Sequence, residues 1–431
     1  MQKSSVMRRK AISQPTLIGS WLVLCLLTTA LLSLQTASLD YIFPYAPYLQ
    51  LALQISVFIL LIPFLRIKIH INSAWLLLGI SVLFLMALAS SFWSLYPELV
   101  VQRTLMILGI SIFIVVLSFA DRRPIVTFDR LAEYMVLFGT VISLIGLIIY
   151  FFGRIEPTVF GYVSILNVGP LEISQRMFVS SPFYRISSLL GNPNTLASWL
   201  LVTLTMAIYL ISKGSHQFMW GLMALIQVIA ILITSSRAGI AATIISLILF
   251  KYLSTRDGHL QVRKLFPFSL FVAFLTMVYA LFSFDLHQIR ILSADLNLRE
   301  LAWEPLWESI LNNPLLGVGF GVSYEAILEP TGLDFSAHNV YLAILSEMGL
   351  PFFLIFMLIW LIPIWQGRKL LRFAPAPVRL ILATSLAILI AMISHEIFEL
   401  NILRYGFHTI LWTYLLTLIV HPSLMEDYID V

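Results

Sequence analysis

At 431 residues, 60% hydrophobic and only 11% charged, the chain is too apolar for a soluble globular protein, which runs near half apolar and a quarter charged. The excess is gathered into runs of roughly 18 to 25 apolar residues, each long enough to cross the ~30 Å hydrocarbon core as a helix. Short alternating segments of the kind that build closed β-barrels are not evident, and a net charge of +4 spread over many loops is a topology signal rather than a nucleic-acid-binding face.

The chain opens with Arg8-Arg9-Lys10 ahead of an apolar run. That run is long and lacks a small-x-small cleavage site, so it reads as a first span rather than a signal peptide. The one cysteine, Cys25, lies inside it and cannot form an internal disulfide. Twelve spans fit the hydropathy, at about 16–35, 47–65, 73–92, 100–119, 131–152, 190–212, 218–235, 237–254, 265–284, 339–365, 378–395 and 404–420. The seventh and eighth almost touch, joined by a tight turn at Ser235-Ser236-Arg237. The expected fold is all-α and polytopic, one integral membrane domain over residues 1–431.

Lysine and arginine set the orientation. Eighteen of the 26 fall in one set of loops, among them Arg8, Arg66, Arg122, Lys251 and Arg368. The other side carries Arg103, Arg154, Arg176, Arg185, Arg237, Arg290, Arg299 and Arg404. The richer side is cytoplasmic, which places both termini inside. Two outward loops, 153–189 and 285–338, are longer than the rest, and structureless loops beyond ~15 residues are uncommon unless they act. In the larger one, Leu298 to Ile310 carries apolar residues at helical spacing, which predicts short amphipathic helices lying along the membrane surface.

The polar residues at this outward edge are the ones open to chemistry. An arginine at hydrocarbon depth is costly and needs a partner, for which a functional anion is one candidate. Arg237 sits among small neighbours in Ser235-Ser236-Arg237-Ala238-Gly239, which leave room for a phosphate to approach the backbone; the plainer reading is an anchor to lipid headgroups. Arg299 precedes Trp303 by one helical turn, so cation–π packing competes with an anion-binding role, and Glu300, Glu304 and Glu308 read as a solvated stripe. Arg185 leads into Gly191-Asn192-Pro193-Asn194, a turn in which Asn194 can cap the sixth span. His338 and Asn339 open the tenth span and can serve simply as its cap. Beside two arginines, however, a histidine is expected to be neutral and able to accept a proton. Glu347, nine residues on, is about 13 Å away along a helix and reads as a structural carboxylate facing the bundle.

Other patterns lead away from soluble-enzyme chemistry. The glycines of Asn313 to Gly321 lack the spacing and strand–helix setting of a dinucleotide fingerprint. His395-Glu396-Ile397-Phe398-Glu399 starts like a zinc-protease motif but has Glu where the second His belongs. No phosphate-binding Walker loop is present.

The order of these pieces resembles the O-antigen ligase / O-antigen polymerase-like superfamily of bacterial membrane glycosyltransferases, over roughly residues 180 to 365. It rests on the Gly-Asn-Pro-Asn turn, Ser236-Arg237-Ala238-Gly239, Arg299 with Trp303, Asn313 to Gly319, and His338-Asn339 followed by Tyr341-Leu342, Glu347 and Gly349. The resemblance implies about twelve transmembrane helices with a large periplasmic loop between helices nine and ten, in a GT-C-like arrangement. It implies a location in the bacterial inner membrane with the active site facing the periplasm. The implied reaction moves a glycan from undecaprenyl pyrophosphate to an acceptor hydroxyl, a lipid A–core sugar being favoured, with no metal, ATP or other cofactor and with inversion. Carried onto this chain, His338, Arg299 and Arg237 would be catalytic, and Arg185, Asn339, Trp303 and Tyr341 would contact the substrates. A polysaccharide polymerase and a protein O-oligosaccharyltransferase remain open within the superfamily. Outside it, a transporter for a small anion such as bicarbonate, or for a lipid-linked sugar, is the rival, although the charges cluster at one edge and no repeat is evident.

Overall fold

The structure is a computed structural model that describes residues 16–35, 71–158, 161–180, 183–255, 299–333 and 336–426, with scattered positions between 45 and 59. Its helices are α1 (Leu17–Leu32), α2 (Ile71–Ala89), α3 (Pro97–Ala120, with a π turn at Leu105–Gly109), α4 (Pro124–Phe152), α5 (Pro193–Ser212) and α6 (Gln217–Ile233). There follow α7 (Arg237–Ser254), α8 (Arg299–Asn312), α9 (Val340–Leu370), α10 (Ala376–His395) and α11 (Phe407–Ile419). Among the described residues seven helices are long and apolar enough to cross a membrane, and α1, α6 and α11 are shorter apolar helices. The protein is therefore a polytopic helical membrane protein. The ninth expected span, about 265–284, lies outside the described residues, as does most of the second, about 47–65.

Short polar side chains fix where these helices begin. Thr16 Oγ1 accepts from the Gly19 amide at the start of α1, and Ser236 Oγ from the Gly239 amide at the start of α7. Asn339 Oδ1 accepts from the amides of both Tyr341 and Leu342 at the start of α9. Such a cap is worth about 1 kcal/mol. For α5 the cap is Asn192, which accepts from the Asn194 amide, and not Asn194 as the turn sequence suggested. Pro193 takes the first helical position, where its missing N–H costs nothing, so the capping role falls to the residue before it.

The bundle closes around α5, which packs on α4, α6, α7 and α10, while α7 lies along α10 and α3 along α11. Inside it, polar groups are paired across helices. Gln227 of α6 is fully buried, accepts from Thr203 Oγ1 of α5 at 2.8 Å, and donates toward Thr140 Oγ1 and Val136 O of α4 at 3.1 and 3.2 Å. In a hydrocarbon setting these groups have no water to turn to, so Gln227 ties three helices together.

The expectation of an all-helical chain needs correction between α4 and α5. Residues Arg154–Thr158, Gly161–Val168, Leu171–Ser180 and Phe183–Ile186 form a four-stranded antiparallel meander, β1-β2-β3-β4. The β2–β3 hairpin pairs Val168 with Leu171, leaving the two-residue loop Gly169-Pro170 with Gly169 at φ +61°, where glycine suits the first central position. The sheet seats on α4 through Gln175, whose amide donates to Gly146 O and accepts from the Ser188 amide.

The other departure from regularity is α9, which is broken at Gly349 (φ +69°, ψ −176°). Ser346 O and Glu347 O instead accept the amides of Val318 and Gly319 at 3.1 and 2.8 Å, and the Leu350 amide donates to Pro314 O at 2.8 Å. The glycine-rich segment thus pairs backbone to backbone with an unwound helix. Glu347 completes the join. It is fully buried, accepts from Gly321 N at 2.9 Å and Ser323 Oγ at 2.6 Å, and is paired with Arg404 at 2.5 Å.

Candidate functional site

The starts of α5 and α7, capped as above, meet at one end of the bundle, so two positive helix-dipole ends, each worth about half a charge, border the same region. A polar pocket opens there, lined by Arg185, Asn194, Ser235, Ser236, Arg237, Ala238 and Arg299. It offers about 40 Å³, roughly three times the ~10–15 Å³ needed to seat one water, enough for a small oxyanion.

Each arginine is delivered by a different element. Arg185 lies on β4, the last strand of the meander. It is largely buried, with Nε donating to Thr234 O at the end of α6 and a terminal nitrogen donating to Asn194 Oδ1, both at 2.7 Å. Arg237 is the first residue of α7, after the Ser236 cap. Ala238 lines the pocket, but Gly239 faces the other way: a Cβ there would lie 2.4 Å from Ala197 Cβ of α5. The small residue at 239 therefore serves close helix packing that brings α7 beside α5. Arg299 is in the first described turn of α8. Its guanidinium lies over Phe398, 5.9 Å from the ring centroid, and not over Trp303.

Trp303 has a different task. Its indole N–H donates to Ala337 O at 2.9 Å, fixing the residue before His338. His338 itself has φ +45°, a left-handed conformation that a residue with a Cβ adopts only when its surroundings impose it. The imposition is visible on both sides: Trp303 holds Ala337, Asn339 caps α9, and the Val340 amide donates to Glu396 O at 3.1 Å. Tyr341, one turn in, donates its hydroxyl to Ile393 O at 2.7 Å. The indole N–H of Trp303, Oδ1 of Asn339 and the hydroxyl of Tyr341 are thus each engaged by backbone near the histidine turn.

What joins the histidine to the arginines is Glu399, a residue the sequence reading passed over as part of a failed zinc motif. Its side chain is 8% exposed. Oε1 accepts from Arg299 at 2.9 Å and from Asn194 Nδ2 at 2.7 Å, and Oε2 lies 3.3 Å from His338 Nδ1. Asn194 in turn accepts from Arg185. Arg185, Asn194, Glu399, Arg299 and His338 therefore form one connected polar network at the edge of the pocket. The signal available in the sequence was a carboxylate beside a span end, where burial demands a cation. Among the described residues no group of three or more His, Cys, Asp or Glu is placed to hold a metal ion.

A fixed cluster of guanidiniums beside helix N-termini binds oxyanions, and an imidazole next to it can move a proton. Fold and site together define a polytopic membrane protein with an arginine-lined polar pocket linked through Glu399 to a histidine. The sequence model of the O-antigen ligase family matches residues 222–357, a stretch that contains Arg237, Arg299 and His338, and the resemblance to the O-antigen ligase superfamily is thereby borne out. Over 198 residues the chain is also 27% identical to the ComP-specific O-oligosaccharyltransferase of Acinetobacter baylyi. That alignment takes in 42% of this chain and 35% of the relative, so the match spans about a third of the relative's length. Both similarities support glycan transfer of the O-antigen ligase type.

Proposed function

We propose that the protein is a glycosyltransferase of the bacterial inner membrane that moves a glycan from undecaprenyl pyrophosphate to an acceptor hydroxyl at the periplasmic face. The observation that carries this reading is that Arg185, Arg237 and Arg299 line one pocket to which His338 is tied through Glu399. The excess of Lys and Arg in the opposite set of loops supports the orientation.

In this reading the donor's diphosphate sits against Arg237 and Arg299, with Arg185 reinforcing the positive field from behind. His338 takes the proton of the acceptor hydroxyl as its oxygen attacks the anomeric carbon. A new glycosidic C–O bond forms on one face while the bond to the phosphate oxygen breaks on the other, so the configuration inverts. The electron pair leaves with undecaprenyl diphosphate, and the guanidiniums stabilise that charge as it builds. A well-aimed donor of this kind is worth about 3–4 kcal/mol in the transition state. The arginines supply the positive charge that a metal gives other transferases, and the activated donor makes ATP unnecessary.

The favoured acceptor is a lipid A–core sugar. A protein hydroxyl is the second reading, favoured by the match to an O-oligosaccharyltransferase. Purified protein given a lipid-linked glycan and each acceptor separately tests both. Transfer to one acceptor that is lost in Arg237→Ala, Arg299→Ala and His338→Ala supports the assignment. Full activity in the arginine variants would overturn it.

A further inference from the structure

We propose that Glu399 is a positioning residue that couples the donor pocket to the base, a step that rests on the reading just given. One carboxylate serves both sides. Its Oε1 holds Arg299, a wall of the anion pocket, together with Asn194, which holds Arg185. Its Oε2 faces His338 Nδ1 at 3.3 Å.

Two consequences follow from the chemistry of that arrangement. Facing an anionic oxygen, Nδ1 of a neutral imidazole carries the hydrogen, which leaves Nε2 with the lone pair for the acceptor hydroxyl. When Nε2 takes the proton, the imidazolium forms beside a fixed negative charge that stabilises it, the role a buried carboxylate plays behind any histidine base. On the other side, Glu399 competes with the substrate. Its charge already satisfies part of Arg299, so a diphosphate entering the pocket draws on a guanidinium that is partly neutralised. As the anion takes up Arg299, more of the Glu399 charge is left to bear on His338. Donor occupancy thereby favours the protonated state that the base must reach, and an acceptor hydroxyl is activated when a donor is in place.

This predicts opposite signs for binding and turnover, which a merely structural side chain would not give. Glu399→Gln removes the charge and keeps the shape. Inorganic diphosphate is expected to bind this variant about three- to tenfold tighter than wild type, measured by calorimetry on purified protein. The transfer rate at saturating donor is expected to fall at least tenfold. In a His338→Ala background, where the base is gone, Glu399→Gln is expected to cost no further rate, because its effect runs through the histidine. Glu399→Asp, which keeps the charge but draws it back from both Arg299 and His338, should show the same pair of signs at smaller size, and it stands in if Glu399→Gln does not fold. Weaker diphosphate binding in Glu399→Gln, unchanged turnover, or a loss that adds fully to that of His338→Ala would overturn the coupling. If His338→Ala itself transfers at the wild-type rate, it is the underlying functional reading that fails.

Discussion

Gly317 and Gly349 each lie against the backbone just ahead of the other: a Cβ on Gly317 would come within 2.3 Å of the Glu347 carbonyl carbon, and one on Gly349 within 2.4 Å of the Leu315 carbonyl. Both have positive φ, +62° and +69°. At this contact α9 gives up its own hydrogen bonds to take those of the glycine-rich segment, so neither position tolerates a side chain. Gly349→Ala is expected to combine about 1–3 kcal/mol of backbone strain with a clash against backbone that cannot move aside. A lower melting temperature in detergent, measured by intrinsic fluorescence, is the check.

The strained turn at His338 allows chemistry and folding to be separated. Its φ of +45° penalises any residue with a Cβ, by about 1–2 kcal/mol, and glycine escapes that cost. His338→Gly is therefore expected to be more stable than His338→Ala by about 1 kcal/mol, while both lose transfer by 100-fold or more, as the loss of a general base does. Thermal melts of the two variants, run beside a transfer assay, give both numbers. Equal stability would mean that the turn relaxes when the imidazole is removed.

A pH dependence follows from Glu325, at the segment that packs on the start of α3. Burial pushes its carboxyl up, but hydrogen bonds from Arg103 and its charge outweigh that and hold it below the usual value of 4.5. A carboxyl whose folded value is depressed contributes stability that is present above the unfolded value and is lost as pH falls through the folded one. The difference in melting temperature between wild type and Glu325→Gln should be constant above about pH 5 and shrink as the solution is acidified. A gap that widens on acidification would reverse the sign.

What could be read in advance divides along physical lines. Apolar run length alone locates the helices that cross the bilayer, because each must satisfy its own backbone there. Among the described residues, seven of them and three shorter ones stand where the runs are. The motif order carried the family resemblance. The meander at 154–186 does not show in the length and charge of an outward segment. Its alternation, in Tyr162-Val163-Ser164-Ile165 and around the Gly169-Pro170 turn, is a strand signal that was there to read. Glu399 was harder: its three partners, Asn194, Arg299 and His338, come from three separate parts of the chain, and no local pattern links them. Asn194 failed for the opposite reason, since its local role as a cap was plausible and the proline before it assigned that role to Asn192.

The placement of Arg237 depends on a contact with no charge in it. Gly239 lets the first turn of α7 approach α5 so closely that a Cβ would sit 2.4 Å from Ala197 Cβ. The same first turn carries Arg237 and Ala238 into the pocket wall, while Asn194, at the start of α5, forms the facing part. Gly239→Val must therefore push the two helix starts apart and widen the pocket at the point where a phosphate is gripped. Overpacking of this kind costs about 1–3 kcal/mol. The larger effect is expected on the donor: KM for the lipid-linked glycan should rise about tenfold or more, with the acceptor KM little changed, since His338 is held by Trp303 and Asn339 on other elements. Ala197→Gly in the same chain removes the atom that the new side chain strikes, and it should restore part of the lost donor affinity. A donor KM that the second substitution leaves where it was would show that Gly239 acts on something other than the α5–α7 contact.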